Sequence, residues 1–573
     1  MPFSRSLRVL SSCAVALLAA CTDATTSVQN VSTVASTPTP TPTPTATCAV
    51  VQTLAVGQVV TGLSGSSACI SGVSTAAEYA LVAYNGSTTG ASSVSVSATG
   101  TSAPSAAADA VPTTTATLSS AASVAPSFRV SRSFETGLRI RERDALTPLI
   151  PSARRWMTSR LSAHAVYDRI PTSVTVGQLL RLNGNSSDAC AAPKYRTARV
   201  VAVTNKAIVV ADTANPAGGY TDAEYASVGN SFDTLVDPMD RQAFGDPSDI
   251  DGNGRVLIFF TKTVNDLTPA TSSSYVGGFF FSRDLFPVTS TADYEACAGS
   301  NMGEMFYMMV PDPARGGAFT KANVTTEVTA TIAHEYQHLI NASRRMYVNT
   351  GAVDFEETWL DEGLAHIAEE LLFYRVSGLS PRQNLSASTI GSSASAVAAF
   401  NNYASSNFGR YSAYLENPSS YSPYADNDSL ATRGAAWAFL RYAADRRAST
   451  DGATWYGLVN STSTGMDNMR SVFGANVADQ IRDWGISVLS DDLTAASSQY
   501  QQQSWNFRSV FAALDGANGF PLSTLSLVSS PRTVALDRGA NSYLRFSVAA
   551  GGTATVEWTS SASSVQFSLV RTK

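Results

Sequence analysis

The chain has 573 residues, of which 44% are hydrophobic and only 15% charged, with a net charge of −6. Without a basic stripe of useful length, a nucleic-acid binder has little support. No Gly-rich phosphate loop ahead of a helix and no Gly-x-Ser-x-Gly elbow occurs either, which removes the usual nucleotide-binding and serine-hydrolase signatures.

Arg5 and Arg8 precede an apolar stretch from Val9 to Ala20, too short to span a bilayer as mature structure. It ends Leu18-Ala19-Ala20-Cys21, which resembles a bacterial lipoprotein cleavage box. The resemblance implies a signal peptide at 1–20 and a lipid on Cys21, anchoring the protein to a membrane of the bacterial cell envelope. Thr22 at the next position favours the outer membrane, and an ordinary secretory cut after Ala20 is the alternative. Residues 21–47 are rich in Thr, Ser and Ala, with Pro alternating from Thr37 to Thr45; such a composition makes an extended tether. Cys13 falls in the signal, which leaves Cys48, Cys69, Cys190 and Cys297, an even number that suits an oxidising compartment. Of the three connectivities, Cys48–Cys69 with Cys190–Cys297 keeps each pair within or beside one domain.

A chain of this length requires several domains. Val56–Leu63 and Glu78–Tyr84 read as strands of a β-sandwich-like module over 48–100. Residues 101–165 read as linker followed by a basic, helix-permissive segment, Arg132 to Arg160, carrying Leu138, Ile140 and Trp156. An interdomain helix is expected there, with an inhibitory prosegment cut near Arg154-Arg155 as the alternative. A small β region is expected over 166–217, from alternation at Arg199–Val203 and Ala207–Asp212.

The catalytic region is expected at 218–492, opened by the capping box Thr221 to Glu224 and a helix running through Phe232 and Leu235. Asp249, Asp251 and Asn253 have the spacing of the first half of a calcium loop, making Ca2+ a candidate ligand. Position 12 of that loop is Phe260, where a bidentate Glu is needed, so a turn before the strand Val256–Thr261 competes. Phe306–Val310 reads as a further strand, and Arg433–Arg446 and Val477–Leu489 as later helices. Thr533–Leu536, Tyr543–Val548, Thr553–Trp558 and Val565–Val570 indicate a second β module over 515–573.

His334-Glu335-Tyr336-Gln337-His338 uses two of only 4 histidines. Residues i and i+4 share one helix face, so both imidazoles can reach a single ion, with Glu335 close by as a base. No Pro or Gly interrupts Val324–Arg345, and Val328, Ile332, Tyr336 and Leu339 recur at helical spacing. Measured from Ile332 at about 100° per residue, Leu339 and Tyr336 fall roughly 20° and 40° away, whereas the histidines fall roughly 200° and 240° away. The histidines therefore lie outside the apolar stripe and are expected to face a cleft.

A catalytic zinc takes three protein ligands and keeps a fourth position for water. Downstream runs Glu357-Thr358-Trp359-Leu360-Asp361-Glu362-Gly363-Leu364-Ala365-His366, with 23 residues between His338 and Glu362. Here the chain resembles the gluzincin metallopeptidases, whose third ligand is a Glu on a second helix. Trp-Leu-Asp-Glu-Gly-Leu-Ala is similar to a run in the aminopeptidase N relatives, and the wording through Glu369-Glu370 is closer to the hyicolysin family of bacterial neutral metalloproteases. The resemblance implies Zn2+ on His334, His338 and Glu362, with Glu335 as general base. A metzincin arrangement fails, because no His lies between His338 and His366. Glu356 and Glu357 read as the start of the second helix, Glu369 and Glu370 as a solvated or outer face, and His366 as a ligand, a support for Glu362 or a packed imidazole.

An oxyanion donor is also needed. Tyrosines cluster at 403, 411, 414, 421 and 424. In the aminopeptidase-like pattern a Tyr stands three residues before a Gly-Ala, but Ala431 holds that slot before Gly434-Ala435. Tyr424 is the candidate and Arg433 its rival. The expected fold is multidomain α+β: a zincin-like catalytic domain with a mixed sheet, the HExxH helix and an α-rich lower half, flanked by β-sandwich-like modules. The expected function is a zinc endopeptidase acting on extracytoplasmic proteins or peptides. An aminopeptidase using Glu304 beside the strand at 306–310, and a non-catalytic surface adhesin, are the rivals.

Overall fold

The computed structural model describes residues 51–71, 74–105, 132–163, 170–171, 173–269, 275–493, 496–515, 519–528 and 530–573. The expected signal peptide, tether and lipid site lie outside them. The strands are β1 (Val51–Gln52), β2 (Val59–Val60), β3 (Ser67–Ser71), β4 (Ala77–Asn85), β5 (Ser92–Thr99), β6 (Leu179–Asn183), β7 (Tyr195–Val203), β8 (Ala207–Asp212), β9 (Val256–Phe260), β10 (Gly278–Phe280), β11 (Met305–Met308), β12 (Leu525–Ser526), β13 (Arg532–Leu536), β14 (Asn541–Val548), β15 (Thr553–Ser560) and β16 (Val565–Arg571).

β9 and β11 are apolar and buried at every position, as strands covered on both faces must be. They sit inside a six-stranded mixed sheet of order β10-β11-β9-β8-β7-β6, parallel from β8 through β9 to β11 and antiparallel elsewhere. The expected small β region at 166–217 is therefore not separate. β8 pairs with β9 in the register Ala207↔Val256, so β6–β8 form half of the sheet. Alternation identifies a strand but not its partner. The strand expected at 306–310 is β11, and β10 lies outside it as the terminal strand of the sheet.

The helices that build the site are α1 (Arg132–Leu146), α2 (Ile150–Ala163), α3 (Lys321–Tyr347), α4 (Thr358–Ser377), α5 (Ser405–Glu416), α6 (Leu430–Asp445) and α7 (Val477–Ser490). α3 contains the HExxH motif. Thr320 caps its start through the Asn323 amide, and Arg154 of α2 donates to the carbonyls of Arg345 and Met346 at its end. The apolar stripe Val328, Ile332, Tyr336 and Leu339 is buried as expected, but so is every residue from Ile332 to Met346. α3 is thus covered on both sides, and its histidines face a narrow opening rather than an open cleft.

Residues 132–163 are neither an interdomain linker nor loosely attached. Leu138, Leu146, Ile150, Ala153 and Trp156 are buried in the main core, with Ile140 exposed. A cut at Arg154-Arg155 would remove the cap from α3, since Arg154 also holds Ala352 O. The Thr221–Glu224 capping box is formed.

The two terminal β modules expected from the sequence are one sandwich. One sheet runs β1-β3-β15-β5-β13 and the other β12-β14-β4-β16-β2, so strands from the two ends of the chain alternate. β4 is buried throughout. Tyr79, Leu81 and Ala83 enter the sandwich core, while Ala80, Val82 and Tyr84 pack into the main core. Tyr543 of β14 donates to Gly485 O of α7, and Trp484 stacks on Tyr414 of α5. The described residues from 51 onward belong to one compact unit, 48–573. Cys190 is bonded to Cys297. Cys69 is also disulfide-bonded, and Cys48 lies outside the described residues. Among the described residues no helix is long and apolar enough to cross a membrane.

Candidate metal centre and cleft

Within the helix, the four-residue step sets the two imidazoles side by side, with His334 Nε2 3.2 Å from His338 Nε2. α4 crosses α3 so that Glu362 Oε2 lies 3.3 Å from the first nitrogen and 3.8 Å from the second. Tetrahedral ligands about 2.0–2.1 Å from zinc stand about 3.3 Å apart, so the three atoms fit around one ion. Two imidazole nitrogens and one carboxylate oxygen are also the donor set of catalytic zinc sites, with a coordination position left over.

The atoms that face away support this arrangement. His338 Nδ1 is 2.7 Å from Asp361 Oδ2, whose other oxygen accepts from Asn341. His334 Nδ1 is 2.9 Å from Glu369 Oε1. A carboxylate at Nδ1 fixes the hydrogen there, so that once the Nε2 proton is displaced the lone pair faces the centre. Burial alone would depress His334, but the Glu362 and Glu369 carboxylates outweigh it and hold the imidazole up at about 10. For Glu362, burial is overcome by Arg433, His338 and His334, which keep the carboxyl well below its ordinary range.

Glu335 anchors to the sheet edge, its Oε2 accepting the Phe280 amide at 2.7 Å. Close approach of β10 to α3 requires Gly278, where a Cβ would meet Tyr307 O at 2.9 Å and Thr331 Cγ2 at 3.0 Å. One recess opens between α3 and residues 275–278, lined by His334, Glu335, Tyr275 and Arg433. A second lies on the His338 side, lined by Arg139, Phe280 and Asp361. Arg433 reaches Glu362 at 2.8 Å, Glu135 at 2.5 Å and Asp428 at 2.7 Å.

Several expectations are corrected. The Tyr424 hydroxyl is 3.3 Å from Tyr84 Oη and 3.3 Å from Ser87 O, so it joins the sandwich to the helical body and is not brought to the cleft. Tyr411 and Tyr414 stack on each other in the core. Tyr275 takes the cleft wall instead. Tyr275 lies outside regular structure, three residues before the short strand β10 and after a Ser run, so no periodicity marks it; the sequence signal is Tyr275-Val276-Gly277-Gly278.

Glu369 and Glu370 are buried, not solvated. Glu369 accepts from His334, His366 and Arg410, and Glu370 from Arg441 and Trp505. Burial and Arg410 push His366 down to about 3, and its Nδ1 rests 3.1 Å from Glu369, so it supports that carboxylate and not Glu362. Glu357 is the N-cap of α4 and Glu356 precedes it as expected; the Glu356 carboxylate accepts the Glu357 amide and is held by Arg345, Gly465 N and Asn468.

Asp249, Asp251 and Glu304 come within 4.8 Å of one another. Asn253, the third expected calcium ligand, is turned inward, its amide group donating to Asp251 at 2.7 Å and its oxygen accepting Arg255 N. Glu304 accepts from Ser248 Oγ and Ile250 N, which places it in this turn and not beside the cleft.

No family model matches the chain. Over 151 residues, 26% of its length, the chain is 35% identical to the neutral metalloprotease ShpI of Staphylococcus hyicus. It spans 31% of that relative, so the kinship concerns about a third of a metalloprotease. The buried His and Glu cluster is a group that could hold a metal ion.

Proposed function

We propose that the protein is a zinc-dependent endopeptidase of the hyicolysin-like, gluzincin type, with His334, His338 and Glu362 as ligands and Glu335 as general base. The observation that carries the reading is the convergence of two Nε2 atoms and one carboxylate oxygen, with Glu335 in the adjoining recess. Zinc, when bound, supplies polarisation of the scissile carbonyl and lowers the pKa of water towards about 7. Glu335 takes the proton from the attacking water and returns it to the leaving amine. The outer edge of β10 offers main-chain groups to an extended substrate. Arg433 and Tyr275, in the same recess, are the donors nearest to hand for the tetrahedral oxyanion.

An endopeptidase is preferred to an aminopeptidase because Glu304, the one acidic residue marked for a free amine, is occupied elsewhere. The proposal places the enzyme outside the cytoplasm, anchored through a lipid on Cys21. The Arg5/Arg8 and Leu18–Cys21 pattern supports this, and the Cys190–Cys297 bond agrees with an oxidising compartment. The decisive experiment compares wild-type protein with Glu335→Gln on an unfolded protein substrate, with zinc content measured on both. Cleavage by wild type and a loss of about a hundredfold or more in the variant, with zinc retained, is expected. Activity that survives Glu335→Gln would overturn the mechanism.

A further inference from the structure

Glu327 lies on α3 at positions i, i+3, i+4, i+7 and i+8 with Ala330, Thr331, His334 and Glu335, and all five line the same recess. The other carboxylates of that recess have partners. Glu335 takes the Phe280 amide, Glu369 is held by His334, His366 and Arg410, and Glu135 by Arg433. Glu327 makes no side-chain hydrogen bond or ion pair among the described residues, although it is half-buried in the wall. Of the two guanidinium groups lining the recess, that of Arg410 is committed to Glu369 and Asn407, and that of Arg433 to Glu135, Glu362 and Asp428. Burial, and then the Glu369 charge, push the Glu327 carboxyl up to about 7, as expected for an acid partly withdrawn from water with no cation paired to it.

We propose that Glu327 is a specificity-determining residue that receives a lysine or arginine side chain of the substrate. The inference rests on the peptidase reading above and names the class of peptide it would prefer. Its position chooses between two cations. Glu327 is seven residues from His334, which is roughly 10 Å along the helix axis. The free amine of an aminopeptidase substrate is only about 2.5 Å from the scissile carbonyl carbon, within the same residue. A carboxylate two turns away does not suit it. An extended substrate advances about 3.3 Å per residue. With the reach of a long side chain added, Glu327 serves a residue about one to three positions from the bond cut, on one side only.

The test begins with wild-type protein charged with zinc and a denatured protein of mixed composition, with cut sites mapped by mass spectrometry. Lysine and arginine enriched at one fixed position near the cut are expected; cutting without such enrichment overturns the proposal. No cutting at all overturns the peptidase reading instead, so the two failures are distinguishable. A matched pair of peptides, lysine against norleucine at the enriched position, is then compared on wild type and Glu327→Gln, with zinc content and circular dichroism confirming the fold. The kcat/KM ratio of lysine to norleucine is expected to fall roughly ten- to a hundredfold in the variant, and a ratio that does not move overturns the assignment. Glu327→Lys supplies a second reading that does not depend on the first variant folding, because it should shift the preference towards aspartate and glutamate.

Discussion

Among the described residues, two places bring metal-capable side chains within 4.8 Å of one another: His334, His338 and Glu362, joined through His334 to His366 and Glu369, and Asp249, Asp251 and Glu304. At the first, the atoms that face outward are held by neighbours, leaving the inward atoms only one another and Arg433. At the second, the turn uses its own carboxylates. Gly254 N donates to Asp249, Asn253 to Asp251, and Ser248 and Ile250 to Glu304. Proximity of acids therefore does not distinguish a site from a turn. What distinguishes them is whether the lone pairs at the centre are free while the rest of each side chain is fixed.

Breaking the first cluster should have the largest effect. His338→Ala is expected to take zinc from roughly one ion per chain to none, read by atomic absorption, because two ligands do not make a structural or catalytic site. The outward partners come next. Asp361→Asn and Glu369→Gln should each weaken zinc binding about 10- to 100-fold in chelator competition, and no change would show that these carboxylates serve packing alone.

The second cluster is sharpened by pH. Burial and the Asp249 charge raise Glu304 to about 7 from an ordinary 4.5. Between those values the folded chain keeps a proton that the unfolded chain has released, so stability falls as pH rises through the window. Glu304→Gln should flatten that part of the curve. Millimolar calcium should leave the Tm unmoved; a rise of several degrees would mean that the turn opens to bind it. Smallest of all, Tyr424→Phe should cost about 0.5–1.5 kcal/mol of stability through a lost buried hydrogen bond. Its kcat/KM should stay within about twofold, and a larger fall would bring Tyr424 into the first cluster's chemistry.

Local signals made the first cluster legible. The uninterrupted run Val324–Arg345 lies within the helix Lys321–Tyr347, and Glu362 lies on the following long helix, where a loop after His338 could bring it back. Features that depend on long-range pairing were not legible. Nothing in the pattern of 533–570 says that Thr555 will sit between Cys69 and Thr99. Likewise, nothing in 207–212 says that its neighbour is 256–260 and not another strand of its own module. Tyr424 and Arg433 both follow α5, and spacing along the chain does not tell them apart. Only the path of residues 417–429 sends the tyrosine towards the sandwich and the arginine to Glu362.

The interleaved sandwich also constrains the order in which the chain can fold. β15 lies between β3 and β5, and the core they share includes Ile70, Val96 and Val556. The early strands therefore wait for their partners until β14, β15 and β16 have been synthesised. Such edges pair readily with other chains, and contacts at this separation form slowly. A chain cut short before β14 leaves β4 without a neighbour that its full-length form supplies along eight positions. The sandwich thus acts as a check on synthesis: only a chain that has reached β16 closes it, and one that stops short is left exposed to aggregation and proteolysis.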